Sequence, residues 1–324
     1  MKAGFPRRFA AHGLRRPGFS NVLMTESFRG SLVATVTPFT AFGALDREGF
    51  VRLLDRHLAE GTDGVVVAGT TGESPTLEDP EWETLVRLAR ERLAGRIPLI
   101  VGSGTNNTRR SVERTRRAAE LGADACLVVT PYYNKPTQEG LDAHFSALAE
   151  ASPVPLILYN VPGRTSCDLL PETVAALARH PRIVGVKEAT AGTERLTLLR
   201  ERVEREDFLF LSGDDPTALE FLLRGGHGVV SVTANVAPRA MHDLCRAVRD
   251  GNARAARGID ARLAELHRGL FVEPNPIPVK WALHELGLIE PVVRLPLLPL
   301  SLPRRAALRD TLARAGLLSV SVSA

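Results

Sequence analysis

The sequence of 324 residues contains very little cysteine. Its three cysteines, Cys126, Cys167 and Cys245, are scattered along the chain and have neither a disulfide-framework nor a metal-binding spacing. A disulfide scaffold is therefore excluded, and we expect no metal site. Unpaired thiols are typical of a reducing compartment, so we expect a cytoplasmic protein.

Long apolar runs are also absent, because no stretch of about 18 residues lacks charge, and a membrane-spanning helix is not expected. The net charge is only +4, and in residues 1–29 six cations meet a single acid. We interpret residues 1–29 as a disordered or mis-assigned N-terminal extension, with Met24 as an alternative start. Elsewhere arginines alternate with acids, which is typical of solvated helix faces and not of a nucleic-acid-binding stripe.

From residue 32 onward, short apolar runs alternate with longer segments of helical periodicity. This alternation predicts βαβ units whose parallel strands are buried on both faces. The predicted strands are Leu32–Phe39, Gly64–Gly69, Pro98–Gly104, Ala125–Tyr133, Pro155–Pro162, Ile183–Ala189, Phe208–Asp214 and Gly228–Asn235. The predicted helices between them include Asp46–Glu60, Glu78–Leu93, Thr108–Leu121, Gln138–Ala151 and Pro171–His180.

Eight such units favour an α/β fold of the (β/α)8 TIM-barrel type over residues 30–236. The main alternative, an open doubly wound sheet, usually has a glycine-rich phosphate loop after its first strand, and none is present here. The chain length would also allow two ordinary domains. Residues 237–324 are predicted to form a C-terminal helical subdomain, with helices at Pro238–Gly251, Ala253–Gly269, Pro278–Gly287 and Arg304–Ala315.

Lysine is rare in this chain, and one lysine lies inside an apolar run. Only four of the 41 cationic residues are lysines, and Lys187 belongs to the sixth predicted strand. Burying a charged amine is costly, so burial favours the neutral form that attacks carbonyls, which arginine cannot supply. The alternative is a lysine paired with an acid, but the adjacent Glu188 should point to the opposite face. We therefore predict that Lys187 forms a Schiff base.

Polar residues follow other predicted strands, where barrel enzymes place their active sites. Tyr159 ends the strand before Lys187, and its phenol can shuttle protons. Thr70 and Thr71 supply hydroxyls, and Arg164 can bind a carboxylate with two hydrogen bonds. Each also has a simpler interpretation. Tyr159 could only cap the barrel, Thr70 and Thr71 could belong to an ordinary turn, and Arg164 could be a solvated loop arginine.

Six segments occur in order and at consistent spacing between about residues 30 and 316. They are GTTGES (69–74), PYYNKP (131–136), LYNVPGRT (158–165), VGVKEAT (184–190), LSGDD (211–215) and VEPNPIPVKWA (272–282). Together they resemble the dihydrodipicolinate synthase family of pyruvate-dependent class I aldolases. The resemblance implies that Lys187 forms the imine with pyruvate and that Tyr159 donates and accepts protons. It also implies a proton relay through Thr70 and through Tyr133, the latter contributed across a dimer interface.

The same resemblance implies substrate contacts. Thr71 and Val230 match positions that contact pyruvate, and Arg164 matches the one that binds the carboxylate of the second substrate. Gly213 falls where a backbone carbonyl faces the imine. The implied reaction joins pyruvate to L-aspartate 4-semialdehyde in lysine and diaminopimelate biosynthesis, without a cofactor, in a homodimer or homotetramer.

One departure concerns feedback by lysine. Many bacterial members of the family bind lysine with a histidine and a glutamate, where this chain has Trp82 and Arg110, although Asn106 and Tyr132 are retained. Because a cation repels the lysine ammonium group, we predict weak or absent inhibition.

Two other functions remain open at this point. N-acetylneuraminate lyase and keto-deoxy-sugar-acid aldolases share the lysine, the tyrosine and the glycine–threonine turn, but Arg164 and the Tyr132–Asn134 run favour the synthase. A non-catalytic barrel that binds anions or partners is disfavoured by the joint presence of Lys187, Tyr159 and Thr70.

Overall fold

Eight parallel strands close into a barrel in sequence order in the computed structural model, which describes residues 25–190 and 192–318. The strands are β1 Gly30–Ala34, β2 Gly64–Val67, β3 Leu99–Gly102, β4 Ala125–Val129, β5 Leu156–Asn160, β6 Ile183–Glu188, β7 Leu209–Ser212 and β8 Gly228–Ser231. Each predicted strand is present, and closure between β1 and β8 confirms the barrel over the open sheet.

Helices cover the barrel and extend beyond it. They are α1 Arg47–Ala59, α2 Asp79–Leu93, α3 Thr108–Glu120, α4 Gln138–Ala151, α5 Pro162–Thr165, α6 Pro171–Ala178, α7 Glu194–Arg202, α8 Ala218–Leu223, α9 Pro238–Arg249, α10 Ala253–Gly269, α11 Ile277–Glu285 and α12 Leu302–Arg314. Side chains cap several N-termini. Asp46 accepts from the N–H of Gly49, and Thr137 accepts from that of Gly140. No helix in the described part of the chain combines the length and apolarity needed to cross a membrane.

The strands carry two buried faces, which explains their continuous apolar sequences. Inward-facing residues such as Leu32, Val66 and Ile157 fill the barrel, while neighbours such as Val33, Val65 and Leu158 pack against the helices. The alternation of side chains along a strand produces this division. Polar side chains that point inward at the strand ends therefore share one enclosed space.

The strands end earlier than the apolar runs predict. The first run was expected to reach Phe39, but β1 stops at Ala34. The loop after it stays buried, with Val36 and Phe39 fully shielded from solvent. An apolar run indicates that residues are buried, not that their backbones form strand hydrogen bonds. The apolar sequence therefore continues from the strand into the buried loop that follows it.

The domain limits differ in detail from the sequence-based ones. Residues 1–24 of the predicted N-terminal extension lie outside the described residues. Within residues 25–29, Phe28 is only 1% exposed and belongs to the apolar cluster inside the barrel. At the other boundary, α9 packs against β1 and β8 and covers the barrel. The predicted division at residue 237 assigns this helix to the C-terminal subdomain.

Candidate active site

Lys187 lies inside the barrel beside Tyr159. The two residues are paired in register on β6 and β5, and they are 5% and 6% exposed. The Lys187 Nζ atom lies 4.1 Å from the centroid of the Tyr159 ring. Among residues 25–190 and 192–318, no acid or hydrogen-bond acceptor is paired with this amine. The arrangement brings together an amine and a phenol-bearing residue, as Schiff-base chemistry requires.

Gly213 gives the Lys187 side chain room. A Cβ atom at position 213 would lie 2.8 Å from the Lys187 Cε atom and 2.8 Å from the Ala189 Cβ atom. The Gly213 N–H donates to the carbonyl of Glu188 at 2.7 Å, which fixes this approach. Only glycine fits here without displacement of the lysine.

Glu188 points away from Lys187, as the alternation of strand residues predicts. Its carboxylate accepts from the Asn160 side-chain amide at 3.1 Å and from the N–H of Thr190 at 2.8 Å. Asn160 also donates to Asp168, which Arg195 binds at 2.6 Å. Burial raises the pKa of Glu188 above its usual range, while these donors oppose the rise. This polar network lies behind β5 and β6 and holds the register that sets Tyr159 beside Lys187.

Thr71 and Arg164 are joined by a residue that the sequence analysis did not single out. The Asn275 side-chain amide donates to the Thr71 Oγ1 atom at 2.9 Å, and Arg164 donates to the Asn275 carbonyl at 3.3 Å. The Asn275 Oδ1 atom is buried and has no hydrogen-bond partner among the residues that the structure describes. Buried polar atoms normally have partners, so this oxygen is available to a donor on a ligand.

The remaining predicted residues fall into two groups. Val230 on β8 faces the barrel interior and is 2% exposed. Thr70 lies in the turn after β2, where its carbonyl accepts from the N–H of Glu73. Tyr133 is 88% exposed, with a φ of 75° that non-glycine residues rarely adopt. No hydrogen bond joins the side chains of Thr70, Tyr159 and Tyr133 within the described chain, so the proton relay stays a prediction.

The positions predicted to affect lysine binding form a cationic cluster. Arg110 pairs with Asp79, and Arg114 stacks over the Trp82 ring at 5.1 Å from its centroid. The Trp82 indole donates to the Gly102 carbonyl at 3.1 Å. Two guanidinium groups therefore share the Asp79 carboxylate at these positions, with Arg114 at 3.9 Å from its Oδ1 atom.

Comparison with known proteins identifies the family. The profile of the dihydrodipicolinate synthetase family matches residues 27–315. The chain belongs to this family. It is 56% identical over 290 residues to 4-hydroxy-tetrahydrodipicolinate synthase of Pseudomonas aeruginosa. The aligned residues cover 90% of this chain and 99% of that protein.

Solved structures agree with this assignment. The chloride-inhibited dihydrodipicolinate synthase of Acinetobacter baumannii, complexed with pyruvate, is 47% identical with a TM-score of 0.88, over 90% of this chain and 99% of that one. A monomeric dihydrodipicolinate synthase variant is 44% identical with a TM-score of 0.89, over 91% and 99%. The family predicted from the motifs and the barrel predicted from the alternation of strands and helices are thus confirmed. The roles of individual residues are proposals.

Proposed function

We propose that this chain catalyses the 4-hydroxy-tetrahydrodipicolinate synthase reaction, joining pyruvate to L-aspartate 4-semialdehyde through an imine on Lys187. The observation that carries the proposal is the Lys187 amine, enclosed in the barrel at 4.1 Å from the Tyr159 ring centroid and unpaired with any acid among the described residues. A lysine amine that holds no ion pair is available to attack a carbonyl carbon.

The first half of the reaction activates pyruvate. The Lys187 amine attacks the ketone carbon, and the carbinolamine loses water to give the imine. Tyr159 donates and accepts the protons that these steps move, with Thr70 and the Tyr133 of a neighbouring subunit as its relay partners. Thr71 and Val230 contact the bound pyruvate. The protonated imine then accepts electrons as a methyl proton leaves, which yields the enamine.

The second half builds the ring. The enamine carbon attacks the aldehyde of the second substrate, whose carboxylate is bound by Arg164. The amino group of that substrate then attacks the imine carbon and displaces Lys187, which returns as the free amine. The Gly213 backbone faces the imine throughout, and its missing side chain leaves the space that the lysine needs. The chain's own amine supplies the electron sink, so no cofactor or metal is included.

The assembly follows from Tyr133. Its exposure and unusual backbone support a role at a subunit contact, and we propose a homodimer or homotetramer in the cytoplasm. Sedimentation of the purified protein tests the assembly. If a monomeric form of the protein is as active as the dimer, an active site shared between two subunits is excluded.

Borohydride trapping tests the imine. Pyruvate and borohydride should add a reduced pyruvyl group to the peptide containing Lys187 and not to the peptide containing Lys280, the other buried lysine. Lys187→Arg keeps a long basic side chain but supplies no nucleophilic amine, so it should trap nothing. Absence of an adduct on Lys187 in the unmodified protein would exclude every function that proceeds through an imine on this lysine.

A substrate panel then separates the synthase from its relatives. Aspartate semialdehyde should be consumed with pyruvate, whereas N-acetylmannosamine and sugar-acid aldehydes should not. Turnover of a sugar aldehyde at the higher kcat/KM would replace the proposed second substrate.

A further inference from the structure

A second buried lysine lies behind the Thr70–Thr71 turn. Lys280 on α11 is fully shielded from solvent, and its Nζ atom lies 2.6 Å from the Glu73 Oε1 atom. The same amine lies 4.1 Å from the centroid of the Phe39 ring. Burial lowers the pKa of Lys280 to about 8, and the nearby Glu73 carboxylate opposes this shift. The two side chains therefore form an enclosed ion pair that none of the catalytic steps uses.

The C-terminal subdomain also binds the other oxygen of Glu73. The Arg294 N–H donates to the Glu73 Oε2 atom at 2.9 Å, and the Arg294 guanidinium binds the Glu81 carboxylate at 2.5 and 2.6 Å. It also stacks over the Phe39 ring at 4.2 Å from its centroid. Both oxygens of one buried carboxylate are thus held by residues more than 200 positions away in the chain. A buried charge tolerates such enclosure only when it is fully paired.

Glu73 belongs to the same turn as Thr70 and Thr71. Its own φ of 53° is left-handed, and its N–H donates to the Thr70 carbonyl at 3.1 Å. The preceding Gly72 is closely packed, because a Cβ there would lie 3.2 Å from the backbone of Ala68 and from the Thr35 carbonyl, closer than most such contacts. Movement of the Glu73 carboxylate therefore displaces a tightly packed turn, including Thr70.

We propose that the Glu73–Lys280 ion pair is a positioning element, by which the C-terminal subdomain sets the Thr70 and Thr71 hydroxyls against the imine site. Glu73 and Lys280 touch no substrate and act through the turn. The expected changes in kcat and KM rest on the proposed function. The position of the turn can be tested by hydrogen exchange without any substrate.

The experiment compares variants that remove the ion pair with one that only destabilises the subdomain. Lys280→Met keeps the length of the side chain and removes its charge, and Glu73→Gln keeps the shape of the carboxylate. Leu312→Ala on α12 is the control, because Leu312 is fully buried and belongs to the same subdomain without being part of the ion pair. Each protein is measured for thermal midpoint, for amide hydrogen exchange in residues 69–76, and for kcat and KM with pyruvate.

Loss of the ion pair should accelerate exchange in residues 69–76 and lower kcat/KM. A turn shifted by about 1 Å should cost on the order of 100-fold, with KM for pyruvate raised through Thr71. Leu312→Ala should lower the thermal midpoint and leave both the exchange of the turn and KM unchanged. The double variant Glu73→Gln with Lys280→Met leaves no unpaired buried charge, so it should fold even if a single variant does not, and it should keep the raised KM.

Two results would overturn the proposal. The first is unchanged exchange in residues 69–76 and an unchanged KM in the ion-pair variants. The second is an equal change in both quantities in Leu312→Ala, which would mark a general loss of stability. If the unmodified protein forms no pyruvate adduct, the proposed function fails, and hydrogen exchange alone then decides whether the ion pair positions the turn.

Discussion

Replacing Gly213 by alanine tests how closely the site is fitted around Lys187. The added Cβ would lie 2.8 Å from the Lys187 Cε atom and 2.8 Å from the Ala189 Cβ atom, closer than non-bonded carbon atoms approach. The Gly213 N–H donates to the Glu188 carbonyl at 2.7 Å, and this hydrogen bond opposes a movement of the backbone. The flexible part of this contact is the lysine side chain, so we expect the amine to move.

The size of the effect follows from this geometry. Inserting a methyl group into a packed interior costs about 1–3 kcal/mol of stability. Moving a reacting group by about 1 Å costs on the order of 100-fold in rate, which is about 2.7 kcal/mol of barrier. We therefore expect a Gly213→Ala protein that remains folded but forms the pyruvate imine about 100-fold more slowly.

Time-resolved borohydride trapping measures this rate directly, and urea unfolding measures stability in parallel. Gly258→Ala is the matched control, because a Cβ at position 258 in α10 meets no atom within 4 Å. It should trap pyruvate at the unmodified rate and unfold at an equal or higher urea concentration. Trapping by Gly213→Ala at the unmodified rate would refute the packing argument, since the amine would then tolerate the added methyl group.

Three further expectations follow from single residues. Arg164→Lys keeps a cation but loses the two-pronged donor, so steady-state kinetics should show KM for aspartate semialdehyde raised by about 10-fold or more, with pyruvate trapping unchanged. The resemblance places Arg110 where lysine-binding members of the family have an acid, so submillimolar lysine should leave the rate unchanged, and clear inhibition in the same assay would contradict this expectation. Burial lowers the pKa of His57 from 6.5 to about 3, so its share of stability is complete above pH 6.5 and is lost progressively as pH falls towards 3. The loss amounts to about 2 kcal/mol by pH 5, and urea unfolding of His57→Gln should show a correspondingly weaker pH dependence.

The sequence predicts those features that depend on local pattern. Helix α4 begins at Gln138 and ends at Ala151 as expected, because Thr137 caps it and the apolar spacing is regular. The inward direction of Lys187 also follows from local pattern, since strand residues alternate and Glu188 occupies the opposite face. Both depend only on residues within a few positions of each other.

Contacts between distant segments were not predictable from such patterns. Asn275 binds Thr71 across 204 positions, and Lys280 binds Glu73 across 207. No periodicity or spacing relates residues so far apart. The only signal was that Asn275 and Lys280 both fall within the VEPNPIPVKWA motif, which gave no indication of their partners.

The two buried lysines show why scarcity alone cannot identify a nucleophile. Lysine is rare in this chain, and Lys187 and Lys280 are both shielded from solvent. Lys280 has a carboxylate at 2.6 Å, which stabilises its ammonium form, and an ammonium group has no lone pair with which to attack a carbonyl. Lys187 has the face of an aromatic ring and a glycine backbone instead. A Schiff base forms only from a free lone pair. No carboxylate lies beside Lys187 among the described residues, and this difference from Lys280, rather than burial, supports the proposed attack of Lys187 on pyruvate.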